Sequence, residues 1–339
     1  MLLRQDGSAV GLVSGGCLES DLAERARSVD RSRESRTVVY DLRSPDDVLW
    51  GLGLGCSGEV RVLLERLDPG QAVAQLEFLR VSLARRTNGA MAVVFEVSGS
   101  ERAQVGDRWH FAADGTLVDG REDTETSSWV RAMADKVLAA GRSTVGTCSS
   151  RTGSVGLLVE HVEPPVALWV FGAGADAVPL VAMAVQLGWD VTVADPRPAY
   201  AREDRFPHVR RVVLLDPDRV EEALPSIDDR SACVVLTHNF VHDRRILEFL
   251  LGSRAPYIGL LGPRRRTENL LREIGGVAVE KGARREGRIH GPAGLDIGAE
   301  TPAEIALSIL AEIQARVAGH DAGFLRDREE PLHPRRPSA

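Results

Sequence analysis

The feature that most constrains the fold is a glycine-rich segment in the second half of the chain, ALWVFGAGADAVPLVAMAVQLG. Gly172, Gly174 and Ala177 form the pattern G-x-G-x-x-A directly after an apolar strand and at the start of a helix. The first glycine permits a tight turn, the second lets a phosphate approach the backbone, and the alanine keeps the helix close to the strand. The free N–H groups at the start of such a helix attract an anion. This order of elements predicts a nucleotide-binding turn.

The strand that follows this helix, DVTVAD, ends at Asp195, 21 positions after Gly174. A carboxylate at that place can accept hydrogen bonds from the hydroxyls of a ribose. Strand, turn, helix and acid together favour a cofactor site that includes Asp195. A Rossmann domain that keeps the turn but binds no dinucleotide stays open as the alternative, because a fold does not fix a function.

Strands and helices alternate through the rest of the C-terminal half. Apolar strands such as ACVVLTH and YIGLLG alternate with helical segments, and the last helix begins with a capping box at Thr301 and Glu304. Continuous apolar strands predict a parallel sheet that is covered on both faces. We therefore expect an α/β protein in which residues 166–320 form a Rossmann-like, doubly wound parallel sheet.

The first half of the chain has a different pattern, in which glycine-rich turns separate short strands and helices. Pro164 and Pro165 can continue neither a helix nor a strand interior, so we place the domain boundary there. Residues 1–163 are expected to form a mixed α/β domain, and the polar, proline-rich residues 326–339 a disordered tail. The expected elements are strands at 37–42, in EVRVLLERL, at 90–97 and at 108–119, the last with a hairpin turn at Asp114-Gly115, and helices after Cys17, at 71–86 and at 127–140.

Two cysteines lie beside glycines in the first domain. Cys17 follows Gly15 and Gly16 at the predicted start of a helix, where the helix dipole favours the thiolate. Cys56 follows Gly55 within GLGCSG, a segment that can bring its backbone close to a ligand. A cofactor-binding role and burial as small residues in tight turns are both compatible with these positions.

Two loops lie where parallel strands are expected to end, which is where open α/β sheets bind ligands. His238 and His242, in THNFVHD, could suggest a metal site, but His238 ends a strand, so the two imidazoles need not converge. Hydrogen bonding at the wall of a cleft is the favoured role of His238. Asp296, in the loop GPAGLDIGAE, could line the same cleft, and Arg264–Arg266 either contact a phosphate or lie in solvent.

Composition argues against several classes of protein. The net charge of −7 does not favour nucleic acid, whose binding depends on neutralising phosphates. The 4 cysteines form no CxxC pair, which argues against a zinc ribbon or a disulfide scaffold, and Cys233 is expected in the core. No signal peptide is visible, and no segment reaches the roughly 20 apolar residues of a membrane span. We expect a cytoplasmic protein with neither a nucleic-acid nor a membrane partner.

Six segments, in order along nearly the whole chain, resemble signatures of the XdhC/CoxI family of molybdenum-cofactor accessory proteins. They are SGGCLESDLAERA, GLGLGCSGEVRVLLERL, FGAG with GWDVTVADPRPAYA, VVLTHNFVHDRRILEFLL, YIGLLGPRRR and GLDIGAETPAEIALSILAEI. The resemblance implies an XdhC-type first domain followed by a Rossmann-like domain. It also implies a protein that binds molybdopterin cofactor, supports its sulfuration with a cysteine desulfurase, and delivers it to a molybdenum hydroxylase such as xanthine dehydrogenase. A homodimer is the family expectation.

The resemblance also suggests how the loops would hold the cofactor. A helix N-terminus suits the phosphate of the pterin, and a thiolate-bearing loop suits its molybdenum end, with Cys56 as the candidate contact. The chief rival function is a NAD(P)-dependent oxidoreductase that uses the same turn and Asp195. None of the three tyrosines has a lysine four residues later, so a Tyr-x-x-x-Lys pair for hydride transfer is missing. A scaffold that binds desulfurase and hydroxylase without cofactor is the third alternative.

The chain begins where family members are already part-way through their first domain. Met1-Leu2-Leu3 has the pattern of a strand that leads to an Asp6-Gly7 turn. We expect a coding start further upstream, with a segment that carries a Gly-Ser and arginines. The alternative is a reduced first domain with a weaker cofactor site.

Overall fold

A computed structural model of the chain describes residues 1–41, 59–67, 69–99, 102–122, 125–151, 153–224 and 227–329. The chain divides into two compact units, Met1–Pro164 and Pro165–Arg335, and each contains its own hydrophobic clusters. None of the helices in these ranges has the length and apolar character that a bilayer crossing requires.

The first unit is mixed α/β. Its elements are β1 (Leu2–Leu3), β2 (Ala9–Val10), α1 (Glu19–Ser32), β3 (Arg36–Asp41), β4 (Glu59–Leu64), α2 (Pro69–Arg85), β5 (Gly89–Gly99), β6 (Arg108–Ala112), β7 (Leu117–Asp119), α3 (Glu125–Ala140), β8 (Thr144–Ser149) and β9 (Gly153–Val162). Five strands form an antiparallel sheet in the order β7-β6-β5-β9-β8, and Phe111 and Leu157 of this sheet are buried in one cluster with Val137 of α3. The pairs β1-β2 and β3-β4 are also antiparallel.

The predicted elements of this unit are confirmed, and three strands, β2, β8 and β9, were not predicted. The hairpin turn lies at Asp114-Gly115, where Asp114 Oδ1 accepts a 2.9 Å hydrogen bond from the Thr116 N–H and Gly115 has φ of 81°. The strand at Leu2–Leu3 leads to a turn at Asp6-Gly7, as expected. Strand β8 had no prediction because TVGTCS is a polar, half-exposed run with little apolar content.

The second unit alternates strands and helices throughout. Its elements are β10 (Ala167–Phe171), α4 (Ala177–Gln186), β11 (Asp190–Asp195), β12 (Arg211–Leu214), α5 (Val220–Ala223), β13 (Ser231–Val235), α6 (Phe240–Leu251), β14 (Tyr257–Leu260), α7 (Arg264–Glu286), β15 (Ile289–His290) and α8 (Pro302–Ala318). The strands form one parallel sheet in the order β12-β11-β10-β13-β14-β15. This is the Rossmann order 3-2-1-4-5-6, whose direction reverses between β10 and β13.

Both faces of this sheet are covered, as the apolar strands predict. One hydrophobic cluster joins α4 and α8 to the sheet, and the other joins α6 and α7 to its opposite face. Cys233 of β13 is fully buried, so its expected place in the core is confirmed. Helix α8 begins with the predicted capping box, in which Thr301 Oγ1 accepts from the Glu304 N–H and the Glu304 side chain accepts from the Thr301 N–H.

Candidate functional site

The glycine turn after β10 lies at the carboxyl edge of the parallel sheet, and its two glycines serve different purposes. Gly172 has φ of 119°, and a Cβ built there would lie 2.5 Å from the Leu236 carbonyl oxygen, so a side chain does not fit. A Cβ built on Gly174 would meet no described atom within 4 Å. Gly172 is therefore required by packing, whereas Gly174 borders open space that a ligand can enter.

Helix α4 begins directly after this turn. Ala177, its first residue, is fully buried and lets the helix pack close to the sheet. The side chain of Asp176, at the N-cap position, makes no capping hydrogen bond. It lies instead 2.9 Å from His238 Nε2. The N-terminus of α4 therefore lacks a side-chain cap beside the open backbone of Gly174, an arrangement that can receive an anion.

Asp195, the predicted ribose acceptor at the end of β11, is fully buried and bound to its own chain. Its Oδ1 accepts hydrogen bonds from Arg197 N at 2.8 Å and Arg197 Nε at 2.9 Å. Its Oδ2 accepts from Ala173 N at 2.6 Å and Arg197 Nη2 at 2.8 Å. Burial acts to raise the pKa of Asp195, but the hydrogen bonds from Arg197 and Ala173 outweigh it and hold that pKa below its ordinary value.

A second arginine holds the other side of the same turn. Arg205 Nη1 donates to the Ala173 carbonyl at 2.6 Å and to the Tyr200 carbonyl at 3.1 Å. Ala173 is thus held at its N–H by Asp195 and at its carbonyl by Arg205. The guanidinium of Arg197 lies 3.8 Å from the centre of the Tyr200 ring, and that of Arg205 lies 5.0 Å from it. Both guanidinium groups therefore lie near one aromatic ring beside the glycine turn.

The loop after β13 forms the opposite side of the strand-order reversal. His238 has φ of 59°, its side chain is 59% exposed, and it reaches Asp176. Beneath it, Asp243 is 2% exposed and accepts from Thr237 Oγ1 at 2.5 Å and from Arg266 Nη2 at 2.7 Å. This buried ion pair ties the loop to the start of α7, so at least one of the three predicted arginines is structural.

The imidazoles of His238 and His242 do not form part of a described metal centre. The His242 N–H, in the first turn of α6, donates to the side chain of Asn239 at 3.1 Å. No group of three or more His, Cys, Asp or Glu residues that could hold a metal occurs in the described ranges. The described partner of the His238 side chain is Asp176, so its hydrogen bonding is seen, and its place at the wall of a cleft stays a prediction.

Asp296 lies in the loop that follows β15, and its side chain is exposed. Glu312 of α8 supports the beginning of that loop, because its carboxylate accepts from the Tyr257 hydroxyl at 2.6 Å and the Gly294 N–H at 2.8 Å, and pairs with His290 Nδ1 at 2.9 Å. Burial acts to raise the pKa of Glu312, but these hydrogen bonds outweigh it and lower that pKa. The loop is therefore held by an ionised, partly buried carboxylate.

The glycine–cysteine segment of the first unit is built around Ser14 and Glu19. Ser14 Oγ accepts from Cys17 N at 3.1 Å and donates to Glu19 Oε2 at 2.6 Å, and this hydrogen bond lowers the pKa of Glu19 to about 2. Cys17 was predicted to begin α1, but the helix starts two residues later at Glu19, because the Ser14–Glu19 pair closes a turn first. Gly16 has φ of 109°, and Cys17 is exposed.

Comparisons with known proteins match both units. A model described as the XdhC Rossmann domain matches residues 168–313, and a model of the XdhC and CoxI family matches residues 1–41. A Bacillus subtilis (strain 168) protein, named as a probable subunit of xanthine dehydrogenase, is 31% identical over 315 residues, which are 92% of this chain and 86% of that protein. The chain belongs to the XdhC and CoxI family. This finding confirms the resemblance inferred from the six sequence segments.

Two further XdhC-type matches extend over most of the chain. An Escherichia coli (strain K12) protein named "Molybdenum cofactor insertion chaperone PaoD" is 23% identical over 316 residues, which cover 92% of this chain and 76% of that protein. A crystal structure from Bacillus halodurans, named as a xanthine dehydrogenase, has a TM-score of 0.73 at 29% identity and covers 95% of this chain and 87% of its own. The similarity therefore includes both units and the fold of each.

The predicted site residues of this XdhC-family chain fall into three groups, apart from Asp296, which lies by itself in the loop after β15. Those at the carboxyl edge of the parallel sheet, around the strand-order reversal, are Gly172, Gly174, Ala177, Asp195 and His238. Those in the first unit are Gly15, Gly16 and Cys17. Gly55 and Cys56 lie outside the described residues, so the predicted cofactor contact there stays a prediction. Sequence reasoning missed Asp176, Arg197 and Arg205, of which only Arg197 carries a local signal, its two-residue spacing from Asp195.

Proposed function

We propose that this protein binds molybdopterin cofactor and delivers it to a molybdenum hydroxylase such as xanthine dehydrogenase. The observation that carries the proposal is the open backbone at Gly174 beside the N-terminus of α4. The cargo is a pterin with a terminal phosphate, and backbone N–H groups at a helix N-terminus are suited to bind phosphate. Two matched relatives, one named a molybdenum cofactor insertion chaperone and the other a probable subunit of xanthine dehydrogenase, support the same assignment.

The first unit contains two cysteines that are candidate soft ligands for molybdenum. Cys17 is exposed beside Gly16, and Cys56 has a similar glycine context in the sequence. Thiolates are soft ligands, and the pterin cofactor already holds its molybdenum through sulfur, so a cysteine is a compatible further contact. We include in the proposal that a cysteine desulfurase supplies sulfide while the cofactor is held, and that the protein acts as a cytoplasmic homodimer.

The rival function, a NAD(P)-dependent oxidoreductase, has less support. The acid that would hold the adenosine ribose of NAD is buried and already accepts four hydrogen bonds from Arg197 and Ala173. The sequence also lacks a Tyr-x-x-x-Lys pair. We therefore favour a carrier of cofactor over a hydride-transfer enzyme.

Native mass spectrometry tests the proposal. The protein is produced in cells that make molybdenum cofactor, and the mass of the bound small molecule is measured before and after incubation with a cofactor-free hydroxylase. We expect a bound molybdopterin species that is lost as hydroxylase activity appears. Oxidation or reduction of a bound nicotinamide nucleotide by the protein would favour the oxidoreductase instead, and protein that never carries a pterin would contradict the proposal.

A further inference from the structure

We propose that the end of β11 is a subsite for a phosphate monoester and not for a ribose diol. The subsite is formed by Arg197 and Arg205, whose guanidinium groups both lie within 5.0 Å of the centre of the Tyr200 ring. It deepens the proposed function, since it occupies the same sheet edge as Gly174, but it concerns which chemical group of a ligand is bound there.

The first step concerns hydrogen-bonding capacity. A carboxylate has two oxygens with about four lone-pair positions in total. Each oxygen of Asp195 already accepts two hydrogen bonds, and the residue is 0% exposed. A ribose could bind Asp195 only if Arg197 or the Ala173 N–H were displaced. Displacement of the Ala173 N–H would leave a buried donor without its partner, and displacement of Arg197 would break the ion pair of the buried Asp195 carboxylate; either costs more than one new hydrogen bond contributes.

The second step concerns the groups that a ligand would contact in place of Asp195. The side chain of Arg197 is 45% exposed, and its Nη1 has no hydrogen-bond partner in the described part of the chain. Arg205 uses only Nη1, so its Nε and Nη2 are likewise uncommitted there. Both guanidinium groups lie within 5.0 Å of the centre of the Tyr200 ring, on elements that directly follow Asp195.

The third step concerns the preferred ligand. Guanidinium groups bind phosphate oxygens with charge-assisted hydrogen bonds, and an arginine next to the acidic position of a Rossmann site accommodates a ribose phosphate. Asp195 fixes Arg197 in one orientation, and the contacts with Ala173 and Tyr200 fix Arg205. Asp195 offsets the charge of Arg197, but both guanidinium groups keep unused donors, and these favour an anionic group with accepting oxygens. A neutral diol would gain less from such donors.

The test compares two probes that differ by one phosphate group. Binding of NADP+ and NAD+ to the full-length protein is measured by isothermal titration calorimetry. We expect NADP+ to bind at least about tenfold more tightly, the difference that one added charge-assisted phosphate contact gives. In Arg197→Ala, the preference should fall to within about twofold, because that contact is lost and Asp195 is released to accept a diol.

The control variant is Arg210→Ala. Arg210 pairs with Asp190, which begins β11, whereas the subsite lies where β11 ends at Asp195. Its removal therefore also breaks an arginine–aspartate pair, but one at the opposite end of the strand. It should keep the wild-type preference for NADP+. Equal affinities of the wild-type protein for the two nucleotides, tighter NAD+ binding, or no binding of either at millimolar concentration would each overturn the subsite.

Two sources of phosphate are separated by a competition experiment with molybdopterin released from a denatured molybdenum hydroxylase. Displacement of bound pterin by NADP+ but not by NAD+ would support a subsite for the pterin's own phosphate. Simultaneous binding of both would support a subsite for a phosphorylated nucleotide. The inference and the proposed function can fail separately, because pterin retention is measured without nucleotides. If the protein retains pterin but shows no preference for NADP+ over NAD+, only the inference is overturned. If it prefers NADP+ but never retains pterin, only the proposed function is overturned.

Discussion

His238 Nε2 lies 2.9 Å from Oδ2 of Asp176, and this contact joins the loop after β13 to the first turn of α4 across the strand-order reversal. The backbone of His238 is left-handed, with φ of 59°, a conformation that non-glycine residues seldom adopt. Such a conformation persists where its surroundings impose it, and it is common at ligand sites. The pair therefore lies beside the open backbone of Gly174, at the carboxyl edge of the parallel sheet.

Replacement of the carboxylate in this pair should strengthen anion binding. Asp176 places a negative charge at the N-terminus of α4, where the helix dipole otherwise attracts an anion. We expect Asp176→Asn to bind inorganic phosphate about two- to fivefold more tightly, because a like charge is removed. Titration calorimetry at constant ionic strength measures the change. Asp190→Asn, at the far end of β11, is the control, and an unchanged affinity in Asp176→Asn would place the anion elsewhere.

The two glycines of the turn should respond differently to substitution. Gly174→Val should abolish cofactor binding with little effect on folding, because the space beside Gly174 is open to a ligand and not filled by protein. Gly172→Ala should lower the free energy of unfolding by about 2 kcal/mol or more, since its Cβ would collide with the Leu236 carbonyl. Thermal unfolding and a binding titration on both variants separate the effects. Gly323→Val, also at an open glycine, is the matched control.

The cysteines should divide into cofactor contacts and packing residues. Cys56→Ser should retain less molybdenum cofactor than the parent protein, because serine replaces a soft ligand with a hard one. Cys233→Ser should retain cofactor normally, because the Cys233 thiol is fully buried in the core. Burial also raises the pKa of this thiol, which disfavours the thiolate that binds metals. Metal content per protein after purification gives the comparison. Equal retention in the two variants would show that Cys56 does not contact the cofactor.

Asp195 should make folding more stable at neutral pH than in acid. Its folded-state pKa lies below its ordinary value, so its stabilising contribution is present above the unfolded-state pKa and is lost as pH falls through the folded-state pKa. Asp195→Asn should therefore unfold at lower urea concentration than the parent at pH 7, and this difference in urea midpoint should become smaller below about pH 4. Urea titrations of both proteins at pH 7 and pH 3 measure the difference. A difference in midpoint that does not change with pH would contradict an ionised Asp195.

Local sequence patterns were sufficient to predict much of the second unit. The turn at Gly172, the capping box at Thr301 and the burial of Cys233 each depend on a few neighbouring residues and a regular period. The parallel, doubly covered sheet followed from the alternation of apolar strands and helices. Each of these features depends on residues that are close together in the sequence, so it can be predicted from a short segment.

The contacts that define the site are not local. Arg205 reaches Ala173 from 32 residues away, and Arg266 reaches Asp243 from 23 residues away. No periodicity or spacing rule specifies which carboxylate or carbonyl a given arginine will contact. For the same reason the position of Asp195 was predicted, whereas its four internal hydrogen bonds were not.

The fixation of Ala173 on both its N–H and its carbonyl has a kinetic consequence. A loop that must be ordered by its ligand loses conformational entropy on binding, and its association is slowed by the search for the competent conformation. The glycine turn is already held by Asp195 on one side and Arg205 on the other before any ligand arrives. A ligand should therefore bind by rigid docking. Differences in affinity among ligands should arise mainly from differences in their dissociation rates.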